Sequence, residues 1–567
     1  MPRRIVIIGA VALGPKVACR ARRLDPEAEI IMIDRDTIIS YGGCGIPYYV
    51  SGEIPDVDQL FSTIYHAVRD EEFFRETKRV EVRTGTEALS IDRNAKSVRL
   101  RELKTNKEYD LEYDRLVLAT GATPITPPVP GVDLPGVEVI SNLHHAVKIK
   151  DKISAGEVDQ AVVVGGGAIG LEMAEALSAL WGIETTLVEM MDQILPQTLC
   201  PELSAVVQKH LEENEVRVLT GCRVERIEGG ENGVESVLAG CEKLPAQLVI
   251  FGVGAKPNAW LGERAGLPTG PAGGLLVDGR MRTADPNIYA GGDCVEIRNL
   301  ITSGFMYLPL GSMANRQGRV IGTNVCGGNE RFKGAVGTFC LKAFDLGVAK
   351  AGLTEKQARA DGFDPASTLV VQSDKAHFYP GHKLMYMKLI AERKTRRVIG
   401  VEAVGENGDA AKARVDAVAA LLKHAPTVDD ISTLEVSYAP PYASAMDIVN
   451  TAGNALNNVL DGFCTPLDPQ EFLAGLEEPP YRILDVRSEK EGAPFTEKYP
   501  GIWLNIPQDE LDRRLSELPG DKPLAVFCNT GVRSYECSVL LKEKGFDVVG
   551  NVEGGYALAR VLRPDLT

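Results

Sequence analysis

No apolar run in this chain approaches the roughly 20 residues that a membrane-spanning helix needs, so no span is expected. The opening run, Ile5 to Gly9, is too short for the core of a secretory leader. The expected location is the cytoplasm. Positive charge is outnumbered, 62 Lys and Arg against 78 Asp and Glu, and the formal net charge of −16 argues against nucleic acid as a partner. Eleven cysteines are present, yet no C-x-x-C pair occurs among them. That absence removes support for zinc ribbons, iron–sulfur ligation and a dithiol redox motif, and no metal is expected. An odd count in a cytoplasmic chain also argues against a disulfide framework. Cysteine chemistry, if any, has to be sought one residue at a time.

What is present is ordinary in bulk. Hydrophobic residues make up 44% and charged residues 25%, as in a soluble globular protein. At 567 residues the chain exceeds a single core, and length alone suggests about three or four domains. Two segments share one pattern: a β-branched strand, a glycine turn, a helix, and a strand ending in an acid. The first runs from Ile5-Val6-Ile7-Ile8 through Gly9 and Gly14 to Ile33-Asp34. The second runs from Val162-Val163-Val164 through Gly165, Gly167 and Gly170 to Val188-Glu189. Both read as βαβ units whose helix N-terminus accepts a pyrophosphate. One such fingerprint is weak; two, each followed by an acid at the right distance, are strong. Val11 stands where the first fingerprint wants its second glycine.

Beyond Phe332 the texture becomes α+β, with a strand at Leu384 to Leu389 and a helical stretch from Ala410 to His424. A segment rich in Asn, Gly and Asp, Asn454 to Gly462, reads as a linker. The last hundred or so residues carry their own strands at Arg482 to Val486 and Leu524 to Phe527.

Several motifs carry chemistry. Ala119-Thr120-Gly121 closes a strand, and Thr283 precedes Ala290, Gly292 and Asp293 in the spacing T-x6-A-x-G-D. Cys44 lies in Ser40-Tyr41-Gly42-Gly43-Cys44-Gly45-Ile46-Pro47, between glycines that let a flat ring approach. A helix starting near Ile46 is expected to lower its thiol pKa. Glu189 is placed to bond the ribose 2′-hydroxyl of NADH, and Met190-Met191 offers no cation for a 2′-phosphate. Lys16, Arg20 and Arg23 fall on one face of the first helix. Either they are solvated surface charge or they form a phosphate cradle.

Together these motifs resemble the pyridine nucleotide-disulfide oxidoreductases over residues 1 to about 455. The resemblance implies that Asp34 holds the adenosine ribose of FAD and Asp293 its ribityl chain. With one cysteine in place of the usual pair, the chain matches the single-cysteine branch, which shows Ser40 and Cys44-Gly45 in this way. The oxygen- and peroxide-reducing members have a histidine where this chain has Ala12, so the sulfur branch is favoured. In that branch coenzyme A is held by cations of the first helix, and a partner-subunit tyrosine approaches the redox cysteine, here Tyr438. Departures are Phe378 for a second tyrosine, with Tyr379 beside it, Met446 for a lysine, and Asn315 for a histidine.

At the C-terminus, Cys528-Asn529-Thr530-Gly531-Val532-Arg533 is a loop between a strand and a helix, where backbone N–H groups converge on the sulfur. With Asp485-Val486-Arg487 before it and Glu553-Gly554-Gly555 after it, the segment resembles the rhodanese family. Arg533 is expected to shape the loop and draw an anionic substrate.

The expected fold class is α/β: two Rossmann-like dinucleotide-binding domains (FAD at 1–122 and 276–326, NAD at 123–275), an α+β dimerisation domain at 327–455, and a rhodanese-like α/β domain at 465–567. The resemblance implies a homodimer that uses FAD, NADH and, as a third ligand, coenzyme A to reduce persulfide, polysulfide or disulfide substrates. An NADH oxidase and a sulfur-sensing flavoprotein are the rival readings.

Overall fold

The computed structural model describes residues 2–140 and 142–566. Met1 and Thr567, the outer limits of the first and last expected domains, lie outside the described residues. Two compact units form, Met1–Met190 with Glu215–Ala335, and Met191–Asn214 with Val336–Thr567.

The first unit holds two five-stranded parallel sheets. One has the strand Arg4–Ile8 at its centre, flanked by Arg115–Leu118 and Glu29–Ile33, in the register Ile5↔Arg115 and Ile5↔Ile30. The other is centred on Gln160–Val164, between Glu184–Val188 and Leu248–Phe251. After its first residue each central strand is buried throughout, which is why these strands read as continuous β-branched runs rather than alternating ones. Each strand leads by a glycine turn into a helix, Leu13–Leu24 in the first and Ala168–Ala179 in the second. A parallel partner requires such a crossover.

The second unit contains an antiparallel sheet in the order Phe339–Ala343, Leu346–Gly352, Val398–Gly405, Leu384–Glu392, Pro365–Ser373. It also contains a parallel sheet in which Leu524–Phe527 lies between Val548–Val552 and Arg482–Asp485. The core of that small domain is aromatic. The Arg487 guanidinium, buried with its Asp485 partner at 2.6 Å, is stacked by Phe495, Phe527 and Tyr556. The helix Pro201–Glu213 belongs to this second unit.

Of the segment Asn454 to Gly462, expected to be a linker, all but Asp461 and Gly462 lies in the helix Ile448–Leu460, which Asp447 caps by accepting from the Val449 N–H. Two of its four asparagines are spent on tertiary bonds: Asn450 donates to the Ser432 and Leu434 carbonyls and Asn457 to Asp429. Ile448, Val449, Ala452 and Leu456 form its buried stripe, and that burial overrides the weak helix preference of asparagine. Among the described residues no helix is long and apolar enough to cross a membrane.

Candidate active site

The two glycine turns are built alike. Gly9 has φ +108°, and a Cβ there would stand 2.1 Å from the Ala119 carbonyl oxygen. A Cβ on Gly14 would stand 1.9 Å from the Gly9 carbonyl oxygen, so helix and turn touch backbone to backbone. Gly165 and Gly170 repeat this, with a Cβ on Gly170 1.8 Å from the Gly165 oxygen. Gly167 caps the second helix. The missing glycine at Val11 therefore costs the first turn nothing at its tightest contact. Each acid closes its own turn: Asp34 accepts from the Ala10 N–H at 2.7 Å, and Glu189 from the Gly166 N–H at 2.7 Å.

Around the first cradle, Thr120 donates to the Asn258 carbonyl at 2.7 Å, and Asn258 returns a bond to the Thr120 carbonyl at 2.9 Å. Gly121 accepts the Asn258 N–H at 2.9 Å. Buried Gln317 accepts the Gly292 N–H at 2.7 Å and so fixes the turn that presents Asp293. Burial pushes Asp293 upward. Near it the Tyr307 hydroxyl is buried and has no hydrogen-bond partner among the described residues. An orphaned hydroxyl beside a half-buried acid is what a bound dinucleotide would complete. The residues present fit FAD at the first cradle and NAD at the second. Asn258, Tyr307 and Gln317 were not legible in the sequence, because no local motif marks them.

Cys44 is exposed, in a short turn Gly43–Gly45 ahead of the helix Ile46–Ser51. Ser40, four residues earlier, is buried with φ +53° and donates its N–H to the Ala10 carbonyl at 2.8 Å. That bond ties the cysteine loop to the first glycine turn. The expected lowering of the thiol pKa by a helix at Ile46 is not what the structure gives. Surrounding protein, then Glu172 and Asp293, push the Cys44 thiol up. Because the sulfur is exposed, water screens much of this effect. The opposing influence comes from elsewhere in the chain: the helix Gly311–Asn324 starts at Cys44, and the Gly311 N–H favours the thiolate. A Cβ on Gly311 would stand 3.8 Å from the Cys44 sulfur.

Glu172, on Ala168–Ala179, is itself raised to about 7, by burial first and then by Glu175 one turn away. Glu172 and Glu175 line a cleft with Pro47, Tyr48, Ser51 and Glu53.

On the first helix Lys16 and Arg23 are exposed. Arg20 is half-buried: its Nε donates to Thr323 at 3.0 Å, and its guanidinium lies 3.6 Å from Glu330. Of the three expected cations, two are open and one is engaged. Asn315 donates to the Gly311 carbonyl at 2.9 Å. In the second unit Phe378, Tyr379, Tyr438, Tyr442 and Met446 are all exposed.

Cys528, also in the second unit, is buried at the foot of its loop. Its sulfur accepts the Gly531 N–H at 3.1 Å and donates to the Ser534 hydroxyl at 3.4 Å. Gly531 has φ +103° and caps the helix Val532–Glu543. Ser534 was not singled out by the sequence, though its place one turn into that helix points it at the loop. Asn529 donates to Glu491 at 2.9 Å, and the Ser488 hydroxyl, with Asn529 second, holds that carboxyl at about 2. Cys537 is buried, and burial, then Cys528 and Glu536, push its thiol to about 12, so it stays protonated.

Two dinucleotide folds in one unit, a lone cysteine beside them and a sulfur-cradling loop in the other unit define a flavin- and nicotinamide-type oxidoreductase with a sulfurtransferase module. The family model for pyridine nucleotide-disulphide oxidoreductases matches residues 3–318, that of their dimerisation domain 339–449, and that of rhodanese-like domains 468–558. The chain belongs to the pyridine nucleotide-disulphide oxidoreductase family. A NAD-dependent persulfide reductase from A. fulgidus is 40% identical, with a TM-score of 0.92 and coverage of 98% of this chain and 99% of its own. A reduced CoADR-RHD from Bacillus anthracis is 34% identical, with a TM-score of 0.91 and coverage of 100% and 99%. A CoA-dependent NAD(P)H sulfur oxidoreductase from Pyrococcus abyssi is 34% identical over 445 residues, 78% of this chain and 96% of its own length.

Proposed function

We propose that this protein is an NADH-dependent, FAD-containing reductase of sulfane sulfur and disulfides, with Cys44 as its redox cysteine and Cys528 as a persulfide carrier. The observation that carries the reading is the exposed Cys44 at the start of Gly311–Asn324, in the unit that holds both dinucleotide cradles. FAD, when bound, relays the two electrons of NADH to sulfur.

The chain's own residues do the rest. Gly9, Gly14 and Asp34 hold the FAD pyrophosphate and ribose, with Ser40, Thr120, Gly121, Gly292 and Asp293 shaping the remainder of that site. Gly165, Gly167, Gly170 and Glu189 hold NADH. Glu189 already accepts one backbone N–H, and a carboxylate there disfavours a 2′-phosphate, so NADH is preferred over NADPH. The Cys44 thiolate attacks the outer sulfur of R–S–SH. A Cys44–S–SH persulfide forms and R–S⁻ leaves. Two electrons then cleave that bond, returning the Cys44 thiolate and releasing hydrosulfide. Overall, R–S–SH, NADH and H⁺ give R–SH, hydrogen sulfide and NAD⁺.

Coenzyme A is the proposed carrier thiol, with Lys16 and Arg23 meeting its phosphates and Arg20 bracing the stripe. Tyr438 of a partner subunit would complete the Cys44 site in a homodimer, and the enzyme would act in the cytoplasm. At the C-terminal loop Cys528 takes sulfane sulfur as its own persulfide, while Arg533 draws the anionic donor. The proposed domains are 1–122 with 276–326 for FAD, 123–275 for NAD, 327–455 for dimerisation and 465–567 for the rhodanese module.

The test is Cys44→Ser. NADH-driven flavin reduction should persist, while persulfide and disulfide reduction fall by roughly three orders of magnitude or more. Sulfur reduction that survives in the serine variant would contradict the assignment.

A further inference from the structure

The second unit buries an ionic cluster that the proposed chemistry does not use. Lys388 lies 2.9 Å from Glu202 and 3.6 Å from Glu355. Glu402 accepts the Cys200 N–H at 2.6 Å, and buried Lys350 donates to the Gln197 carbonyl and to Gln357, each at 3.0 Å. Glu553, from the rhodanese motif Glu553-Gly554-Gly555, enters the same cluster: Lys388 and Glu202 both act on it. Three buried carboxyls, Glu202, Glu402 and Glu553, thus surround two lysines, with half-buried Glu355 at the rim paired to Arg359, and the Cys200 and Cys464 thiols adjoin them. Buried charges so mismatched cannot all be ionised together.

Glu553 also makes a directed bond. Its Oε1 accepts the Leu369 N–H at 2.9 Å, and Thr368 adds a side-chain bond. Leu369 belongs to Pro365–Ser373, the edge strand of the antiparallel sheet, where it pairs in register with Lys388. Outward N–H groups of an edge strand have no strand partner, and here a carboxyl from the small domain supplies one.

Three residues on, the same turn grips the sulfur loop. Tyr556 N–H donates to the Cys528 carbonyl at 2.8 Å, and Ala557 N–H to the Asn529 carbonyl at 2.9 Å. The Tyr386 hydroxyl, from the antiparallel sheet, donates to the Ala557 carbonyl at 3.4 Å. A short chain of bonds therefore runs from the edge strand through Glu553 and its glycine turn to the backbone of Cys528.

We infer that Glu553 is a positioning residue for the Cys528 loop: it seats the gripping turn on the edge strand, and its proton sets how firmly the turn is seated. The inference rests on the reading that Cys528 carries sulfur. Burial first, then Glu202, raises Glu553 to about 7 against Lys388, Leu369 and Thr368. A carboxyl raised in the folded state contributes stability that is full below its ordinary range and is lost as pH rises through about 7. Above that value a further buried negative charge joins Glu202, the seat loosens, and Cys528 chemistry weakens.

The experiment follows thiosulfate:cyanide sulfur transfer by the full-length enzyme between pH 6 and 8.5, with peptide-level alkylation of Cys528 in parallel. Glu553→Gln mimics the protonated carboxyl: it can still accept from Leu369 but cannot ionise. Its rate should match the parent at pH 6 and exceed it several-fold at pH 8.5. Thr368→Val removes a bond that holds the Glu553 pKa down, so its step should move to higher pH, and this variant stands in if Glu553→Gln fails to fold. Superimposable profiles for the parent and both variants would overturn the inference. Sulfur transfer that survives in Cys528→Ser would instead overturn the assignment of Cys528, so the two failures are distinguishable.

Discussion

Cys44 is poised by opposed influences rather than by one. The N-terminus of Gly311–Asn324 favours its thiolate, while surrounding protein, Glu172 and Asp293 disfavour it. Removing one carboxylate should tip the balance. In Glu172→Gln the pH midpoint for alkylation of Cys44, read by peptide mass spectrometry, should move down from that of the parent. An unmoved or raised midpoint would mean that Glu172 does not act on the sulfur. The cysteine itself was legible in the sequence because glycines flank it and no second cysteine stands nearby. Its electrostatic surroundings were not, since Gly311, Glu172 and Asp293 come from distant parts of the chain and carry no mark of their shared destination. The two C-terminal thiols separate in the same way. Cys528 meets a backbone N–H and a hydroxyl, whereas Cys537 is held protonated in the core. Cys537→Ser should leave sulfur transfer within about two-fold of the parent, whereas Cys528→Ser should abolish it.

At the scale of elements, the βαβ units were the most legible part of the fold. Their central strands are buried after the first residue and so appear as unbroken β-branched runs, and their turns need glycine where backbone meets backbone. Gly14→Val should yield protein that retains little flavin, measured by absorbance of the purified enzyme, because a side chain would enter the Gly9 carbonyl. Full flavin retention would contradict that account of the turn. The helix Ile448–Leu460 was misread because asparagine signals a loop locally, and only its tertiary bonds show otherwise. In the small domain the buried Arg487–Asp485 pair is wrapped by three aromatic rings. Arg487→Met leaves Asp485 buried and unpaired, and should destabilise that domain by about 3–5 kcal/mol in a urea titration followed by its Trp503 fluorescence.

At the scale of the molecule, a dimerisation domain and an exposed group of aromatic residues that includes Phe378, Tyr438 and Tyr442 favour a homodimer. The protein should sediment at twice the mass of one chain, and Tyr438→Phe should lower sulfur turnover without dissociating it. The two dinucleotide folds were legible from their glycine fingerprints, and the α+β module and small α/β domain from the change in texture beyond Phe332 and from the strands of the last hundred residues. The membership of Pro201–Glu213 in the second unit was not, because its burial depends on residues far along the chain. The central claim is tested most directly by anaerobic NADH consumption with polysulfide, coenzyme A persulfide and coenzyme A disulfide offered in parallel, beside an air-saturated control. Rapid turnover with persulfide or polysulfide that Cys44→Ser abolishes is the predicted result. Rapid turnover with oxygen alone would contradict it.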